Sequence, residues 1–243
     1  WLVQKLGQAT LSDDALHALS DLSPQHSGKN VFTVRQIIFF YLLFAVFFTG
    51  LCFNLKATLI ITNIIAAVIF FASFLLKFVL SCVASRRDVD IKVEDDEISS
   101  LRHEEYPIYT ILVPMYKEPE VLPILVNAIR NLSYPQSKLD VKLVLEEDDF
   151  ETIEAAKKLA LESTFEIIAV PPSQPRTKPK ACNYALRFAK GEFLTIYDAE
   201  DKPESTQLEK VFVAFHKLPK TTVCIQARLN YYNATENWLT RMF

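Results

Sequence analysis

Apolar positions are distributed so unevenly that the chain falls into two dissimilar parts. Residues 36–55 and 57–76 are two apolar stretches that contain no charged side chain. Each is long enough to cross a hydrocarbon core of about 30 Å as a helix, and a soluble helix of that length normally carries a polar face. The pattern therefore predicts two transmembrane helices, over 36–55 and 57–80, and disfavours the alternative of two buried helices in a large soluble domain.

Basic residues beside the apolar stretches predict their orientation. The connection between the stretches is centred on Asn54-Leu55-Lys56, so the two helices form a hairpin with both ends on one side. Other basic residues flank those ends: Lys29, Arg35, Lys77, Arg86 and Arg87. The positive-inside rule places such ends in the cytoplasm. The sequence thus predicts a multi-pass protein of the cell (inner) membrane whose segment 1–35 and whose C-terminal part are cytoplasmic.

Beyond the apolar stretches, runs of strand length alternate with stretches of helical spacing. An acidic, polar segment over 86–105 is interpreted as a solvated linker, and 106–243 as one domain. The predicted strands are Tyr109–Pro114, Val141–Leu145, Phe165–Val170, Phe193–Tyr197 and Thr222–Gln226, and the predicted helices are Pro119–Leu132, Glu151–Glu162, Lys180–Ala189 and Thr206–His216. This order predicts an α/β fold, a mostly parallel sheet with helices on both faces, whose ligands bind at the carboxyl ends of the strands.

Composition excludes several functional classes. The net charge is −3, and the only basic patch is the short run Arg176-Thr-Lys-Pro-Lys180, so nothing indicates a nucleic-acid partner. The four cysteines include no C-x-x-C pair, which argues against a structural zinc site and a disulfide framework. The chain has only four glycines and no glycine-rich phosphate loop, which disfavours a nucleotidyltransferase.

Three predicted strands end in clusters that contain carboxylates, at Pro114–Glu118, Glu146–Asp149 and Asp198–Asp201. Clustered carboxylates repel one another unless a cation or hydrogen-bond donors compensate their charge. A divalent metal, Mg²⁺ or Mn²⁺, that also holds a diphosphate would supply that cation. One such cluster is more often a solvated turn or a helix cap, so the hypothesis depends on the order and spacing of all three.

These motifs make 106–243 resemble family-2 glycosyltransferases with the GT-A (Rossmann-like) fold. With the two apolar stretches, the chain resembles the membrane-integrated branch that includes cellulose synthase catalytic subunits and bacterial exopolysaccharide synthases. The segment Ile111–Glu118 is similar to the opening strand and P-x-Y-N-E loop of the family, with Lys117 in place of Asn. The resemblance implies that three side chains there lie beside the donor nucleoside: Pro114, Tyr116 and Glu118.

Three further segments are similar to donor-site motifs. Val144–Asp149 is similar to the strand and D-D-G motif that holds the uracil end of the donor, and Glu147 and Asp148 are the preferred matches, although no Gly follows. Lys178–Asn183 has the Lys-to-Asn spacing of the K-A-G-x-x-N motif, which implies that Lys178 and Asn183 face the nucleotide; an ordinary surface lysine is the alternative for Lys178. Asp198–Asp201 resembles the D-x-D motif, which implies that Asp198 contacts the donor diphosphate. The implied metal ligands are Asp198 and Glu200, with Asp201 as a substitute.

The resemblance implies an inverting hexosyltransferase that moves a sugar from a nucleotide-sugar, with UDP favoured, to a growing polysaccharide. The expected partners are the donor, a glycan or lipid-linked acceptor, and the lipid bilayer. The family's general base and its Q-x-x-R-W motif are expected downstream of Phe243, so these residues are expected to hold a truncated, donor-binding half with little transferase activity by itself. Two alternatives stay open: transfer of one sugar to a polyprenyl-phosphate lipid, and a non-catalytic GT-A-like assembly subunit.

Overall fold

A computed structural model describes residues 8–29, 31–86, 90–227 and 237–238. The chain forms two compact units. One comprises Asp13–Ile91, and the other comprises Trp1–Ser12 together with Lys92–Phe243. Helix α1, Gln8–Leu22, begins in the second unit and ends in the first.

The unit Asp13–Ile91 is dominated by helices α2, Val34–Phe53, and α3, Leu55–Arg86. A capping box starts α2, in which the Thr33 hydroxyl accepts from the Gln36 amide at 3.3 Å and the Gln36 side chain accepts from the Thr33 amide at 2.8 Å. Asn54 ends α2, and its side chain accepts from the Ala57 amide at 3.0 Å at the start of α3. Both helices are long and apolar enough to cross a membrane, and α3 extends to Arg86 rather than ending near residue 80.

A four-stranded parallel sheet organises the other unit, with the strand order β3-β2-β1-β4. Short α4, Asp95–Ser99, precedes it. The strands are β1 (Tyr109–Met115), β2 (Leu139–Glu146), β3 (Phe165–Val170) and β4 (Phe193–Ile196), and the helices are α5 (Leu122–Arg130), α6 (Phe150–Lys158), α7 (Lys178–Leu186) and α8 (Gln207–Lys217). The four strands begin within two residues of their predicted starts.

Helices cover both faces of this sheet, as the sequence predicts. The odd-numbered side chains of β1 and β2, such as Ile111 and Leu143, share one apolar core with α5, α6 and α8. Even-numbered side chains point to the opposite face because strand side chains alternate. Leu112 and Val144 are buried there, and α7 contacts β1, β2 and β3. The α/β prediction is therefore confirmed.

The strand order creates a crossover point at the carboxyl edge of the sheet. From β1 the chain adds β2 and then β3 on one side, and it then returns to place β4 on the other side of β1. The connections that leave β1 and β4 consequently diverge, which opens a crevice between them. The acid-containing clusters that follow β1, β2 and β4 all lie at this edge.

The predicted fifth strand over Thr222–Gln226 is wrong. Residues 222–227 contain no strand in the structure, and the Val223 side chain is 91% exposed. The β-branched and apolar residues of this segment favour an extended backbone, but a strand also needs a hydrogen-bonded neighbour and a surface against which its side chains pack. Val223 lacks such packing here.

We expect Gly191→Ala to lower the free energy of unfolding by about 1–3 kcal/mol, because it overpacks a fixed backbone contact. The Gly191 amide donates to the Thr110 hydroxyl at 2.8 Å, and an added Cβ would lie 2.4 Å from the Thr110 amide nitrogen and 2.6 Å from the Phe193 carbonyl oxygen. Thermal unfolding followed by circular dichroism measures the change. Gly28→Ala is the matched control, since a Cβ added at Gly28 would have no atom within 4 Å outside that residue and its two chain neighbours. Equal effects of the two substitutions would contradict the prediction.

Candidate functional site

A cleft of about 420 Å³ opens at the carboxyl edge of the sheet, where β1 and β4 diverge. That volume is within the range of small-molecule sites. Its lining brings together six of the residues predicted from the sequence: Pro114, Tyr116, Glu118, Lys178, Asp198 and Glu200. Among the other lining residues are two charged ones that the sequence analysis did not assign to the site, Glu146 and Arg176.

Lys178 and Asp198 form an ion pair in this cleft. Thr177 caps α7, its hydroxyl accepting from the Lys180 amide at 3.4 Å, so that Lys178 is the first residue of the helix. The Lys178 ammonium contacts the Asp198 carboxylate just beyond β4, and both side chains are about half exposed. Two motifs that are distant in sequence therefore meet through opposite charges at an accessible position.

The turn Asp198–Asp201 gives its acids different roles. The Asp198 amide donates to the Asp201 carboxylate at 2.8 Å, and the Asp201 amide donates to the Asp198 carbonyl at 3.0 Å. The Asp201 side chain thus stabilises the turn, whereas the side chains of Asp198 and Glu200 line the cleft. Two carboxylates offer the oxygen ligands that Mg²⁺ and Mn²⁺ prefer.

Within the described ranges, no group of three or more His, Cys, Asp or Glu side chains could hold a metal ion. Mg²⁺ is commonly held by one or two carboxylates together with water and a bound phosphate, and Asp198 and Glu200 are the two carboxylates of the turn Asp198–Asp201 that line the cleft.

The four acids that end β2 have separate environments. Glu146 is buried and forms an ion pair with Lys180, and Asp149 is buried at the start of α6. Of the two preferred sequence matches, Asp148 is joined to the cleft through Arg176, whereas Glu147 is exposed and outside the cleft lining. The Glu147 amide donates to the Val170 carbonyl at 2.9 Å, which fixes the backbone at this strand end.

Asp149 shapes the loop that follows β1. Its carboxylate accepts from the Lys117 amide at 2.6 Å and from the Thr152 amide at 3.2 Å. Burial raises the pKa of Asp149, but these hydrogen bonds, that of Lys117 first, bring the pKa below its ordinary value. Lys117 has a φ of 57°, in the left-handed region that Asn tolerates better than Lys. Asp149 thus holds a strained turn between Tyr116 and Glu118.

Arg176 is a cleft residue that the sequence reasoning missed. Its guanidinium donates to the Tyr116 hydroxyl at 2.7 Å and to the Asp148 carboxylate at 2.8 Å, and it lies 5.3 Å from the centroid of the Tyr116 ring. The hydrogen bond to Asp148 raises the pKa of Arg176, so the side chain stays cationic. The only sequence signal was the short basic patch.

Asn183 lies outside the cleft lining, on an exposed part of α7. In an α-helix, a separation of five residues turns a side chain by about 140° from the first position. Lys178 faces the cleft, so the observed helix directs the Asn183 position elsewhere.

A family model described as "Glycosyl transferase family 2" matches residues 110–243. The probable glucomannan 4-beta-mannosyltransferase 1 of Arabidopsis thaliana is 25% identical over 210 residues, which cover 77% of this chain and 36% of that protein. The probable glycosyltransferase YdaM of Bacillus subtilis (strain 168) is 24% identical over 139 residues, covering 56% of this chain and 33% of that protein. The chain thus spans about a third of the length of these curated relatives.

Among solved structures, the mannosyltransferase PcManGT from Pyrobaculum calidifontis, in complex with GDP-Man and Mn²⁺, is 25% identical, with a TM-score of 0.47. The match covers 60% of this chain and 40% of that one. The family match covers more than half of this sequence, and the parallel sheet has the α/β organisation expected for a GT-A domain. The chain belongs to glycosyl transferase family 2.

Proposed function

We propose that this chain contains the donor-binding site of a membrane-bound, inverting glycosyltransferase that transfers a sugar from a nucleotide-sugar, with UDP favoured, to a growing polysaccharide. One observation carries the proposal. In a family-2 chain, the crossover cleft brings Lys178 of α7 into an ion pair with Asp198 of the D-x-D-like turn, beside Glu200. A cation and carboxylates at this edge are what a metal-bound diphosphate requires.

Residues in the cleft and beside it would contact the diphosphate and the nucleobase of such a donor. Asp198 and Glu200 would hold the divalent ion, which would neutralise the charge of the leaving diphosphate. Lys178 would contact a phosphate oxygen when it exchanges its carboxylate partner for the ligand. A nucleobase would stack on the aromatic ring of Tyr116, near the Arg176 cation. It would donate hydrogen bonds to the Asp148 carboxylate, which Arg176 holds there.

The membrane assignment and the acceptor class rest on different observations. Helices α2 and α3, which are long and apolar enough to cross a membrane, support the proposal that the protein is membrane-bound. The positive-inside rule supports the proposal that its family-2 domain is cytoplasmic. Several curated relatives are named glucomannan mannosyltransferases, which favours a polysaccharide acceptor. A second candidate is a lipid acceptor, because the β-monoglucosyldiacylglycerol synthase of Trichormus variabilis is 26% identical over 136 residues.

Calorimetric titration of the detergent-solubilised chain with UDP and with GDP, each with and without Mn²⁺, tests the donor site. We expect a nucleoside diphosphate, UDP first, to bind at least about tenfold more tightly with Mn²⁺, because the ion neutralises the carboxylates that would repel the diphosphate. Uridine is the matched control, since it lacks phosphates and should show no metal dependence. A folded chain that binds neither nucleoside diphosphate would contradict the proposed function.

A further inference from the structure

Lys180 is buried beneath the cleft, with 3% of its surface exposed. Its ammonium donates to both carboxylate oxygens of Glu146, at 3.1 and 3.2 Å, and to the Pro171 carbonyl at 3.1 Å. A lysine ammonium has three N–H donors, so these contacts use its full capacity. The carboxylate of Glu146 and the carbonyl of Pro171 therefore hold the Lys180 ammonium in one position.

The three partners belong to three different elements. Glu146 is the last residue of β2, Pro171 follows the last residue of β3, and Lys180 lies in the first turn of α7. One side chain therefore joins two strand ends to the start of a helix. Between the tethered residues Pro171 and Lys180 runs the segment that supplies Arg176 and Lys178 to the cleft.

The pair also sets the charge of the cleft. Glu146 is among the lining residues, although only 5% of its surface is exposed. A buried carboxylate without a partner would be costly by itself and would repel an incoming diphosphate. The Lys180 ammonium neutralises that carboxylate from the side of α7.

We propose that Lys180 and Glu146 are a positioning pair for donor binding: they hold the segment 171–180 so that Arg176 and Lys178 face the cleft, and they neutralise a carboxylate that would otherwise oppose the diphosphate. This inference rests on the proposed function. Neither residue contacts the donor in this role, because both act through the segment and the charge that they fix.

The chain offers a matched control in Lys142. This lysine is fully buried on the same face of β2, and it pairs with Asp140 at 2.8 Å and with Glu166 at 2.5 Å. It is four residues closer to the amino end of the strand than Glu146 and does not line the cleft. Lys142→Met therefore removes a comparable buried charge without touching the segment 171–180.

The experiment measures UDP affinity in the presence of Mn²⁺ for the whole chain and for Lys180→Met, Lys142→Met and the double variant Glu146→Gln/Lys180→Met. We expect Lys180→Met to weaken binding at least about tenfold and Lys142→Met to change it less than about threefold, since only the first leaves an unpaired charge at the cleft. The double variant should recover at least about threefold of the lost affinity, because it removes that charge.

Amide hydrogen exchange over residues 173–178 supplies a readout that needs no ligand. Lys180→Met should speed exchange in this segment, and Lys142→Met should not, because Lys180 contacts Pro171 at the start of the segment 171–180 and the ion-pair partners of Lys142, Asp140 and Glu166, lie outside it. If Lys180→Met does not fold, the double variant, which has no unpaired buried charge, should show the same faster exchange. Equal binding losses in the Lys180 and Lys142 variants, or unchanged exchange, would overturn the inference. Absence of nucleotide binding by the unmodified chain would instead contradict the proposed function.

Discussion

Asp198→Asn should abolish the Mn²⁺ dependence of UDP binding and raise the Kd in the presence of Mn²⁺ by at least about tenfold. The substitution keeps the size of the side chain and removes one of the two carboxylates that the turn Asp198–Asp201 contributes to the cleft lining, and amide oxygens are weaker ligands for divalent metal ions than carboxylates. It also removes the ion-pair partner of Lys178. Calorimetric titration with and without Mn²⁺ measures both consequences in one series.

Asp201→Asn is the control that makes this prediction specific to Asp198. The Asp201 carboxylate accepts a hydrogen bond from the Asp198 amide, and the amide oxygen of Asn can replace it in that role. We therefore expect Asp201→Asn to change the Kd less than about threefold, since the turn and the carboxylates of Asp198 and Glu200 remain. Glu200→Gln should resemble Asp198→Asn. If Asp201→Asn loses metal dependence and Asp198→Asn retains it, the assignment of the lining acids is wrong.

The spacing of apolar residues, and the residues that end each apolar run, were sufficient to predict the α/β architecture. The apolar runs of β1 and β2 are buried on both faces, and the run of the edge strand β3 is partly buried. Proline or acidic residues lie at or just beyond the ends of all three runs. The runs of β1 and β2 have few alternatives to a central parallel strand, and the rule that ligands bind at the carboxyl edge then predicted the cleft position. The strand over Thr222–Gln226 failed because pairing depends on a neighbour, which no local pattern specifies.

The cleft was only partly predictable, because spacing along the chain does not reveal which partner a charged side chain will find. Glu146–Asp149 is one acidic run in sequence, but its members have different partners. The carboxylate of Glu146 is buried in an ion pair with Lys180, whereas that of Asp149 accepts hydrogen bonds from backbone amides and caps a helix. The third acid, Asp148, forms an ion pair with Arg176. A strand end and a helix start turn adjacent residues in different directions, so only the three-dimensional arrangement separates their roles.

Asp149→Ala should lower the free energy of unfolding by about 2–4 kcal/mol, the largest stability change that we expect at this edge of the sheet. The substitution removes the cap of α6, worth about 1 kcal/mol, and the hydrogen bond from the Lys117 amide to the ionised Asp149 carboxylate, and a hydrogen bond to a charged group is worth about 1.5–3 kcal/mol. The strained turn at Lys117 then loses the contact that holds it. Urea denaturation at pH 7 measures the change.

Asp149→Asn separates the charge of this residue from its hydrogen bonds, because Asn retains an acceptor oxygen and the same size. The pKa of Asp149 is lowered on folding, so its ionised form stabilises the native state above the unfolded pKa of about 4, and this contribution is lost as the pH falls through the lower native value. The stability of the unmodified chain should therefore fall more steeply below about pH 4 than that of Asp149→Asn. Tyr116 lines the cleft, and the turn that Asp149 holds begins at the next residue, Lys117. The acid-induced loss of stability should therefore coincide with loss of UDP binding. Identical pH profiles for the two proteins would show that the Asp149 charge does not stabilise this turn.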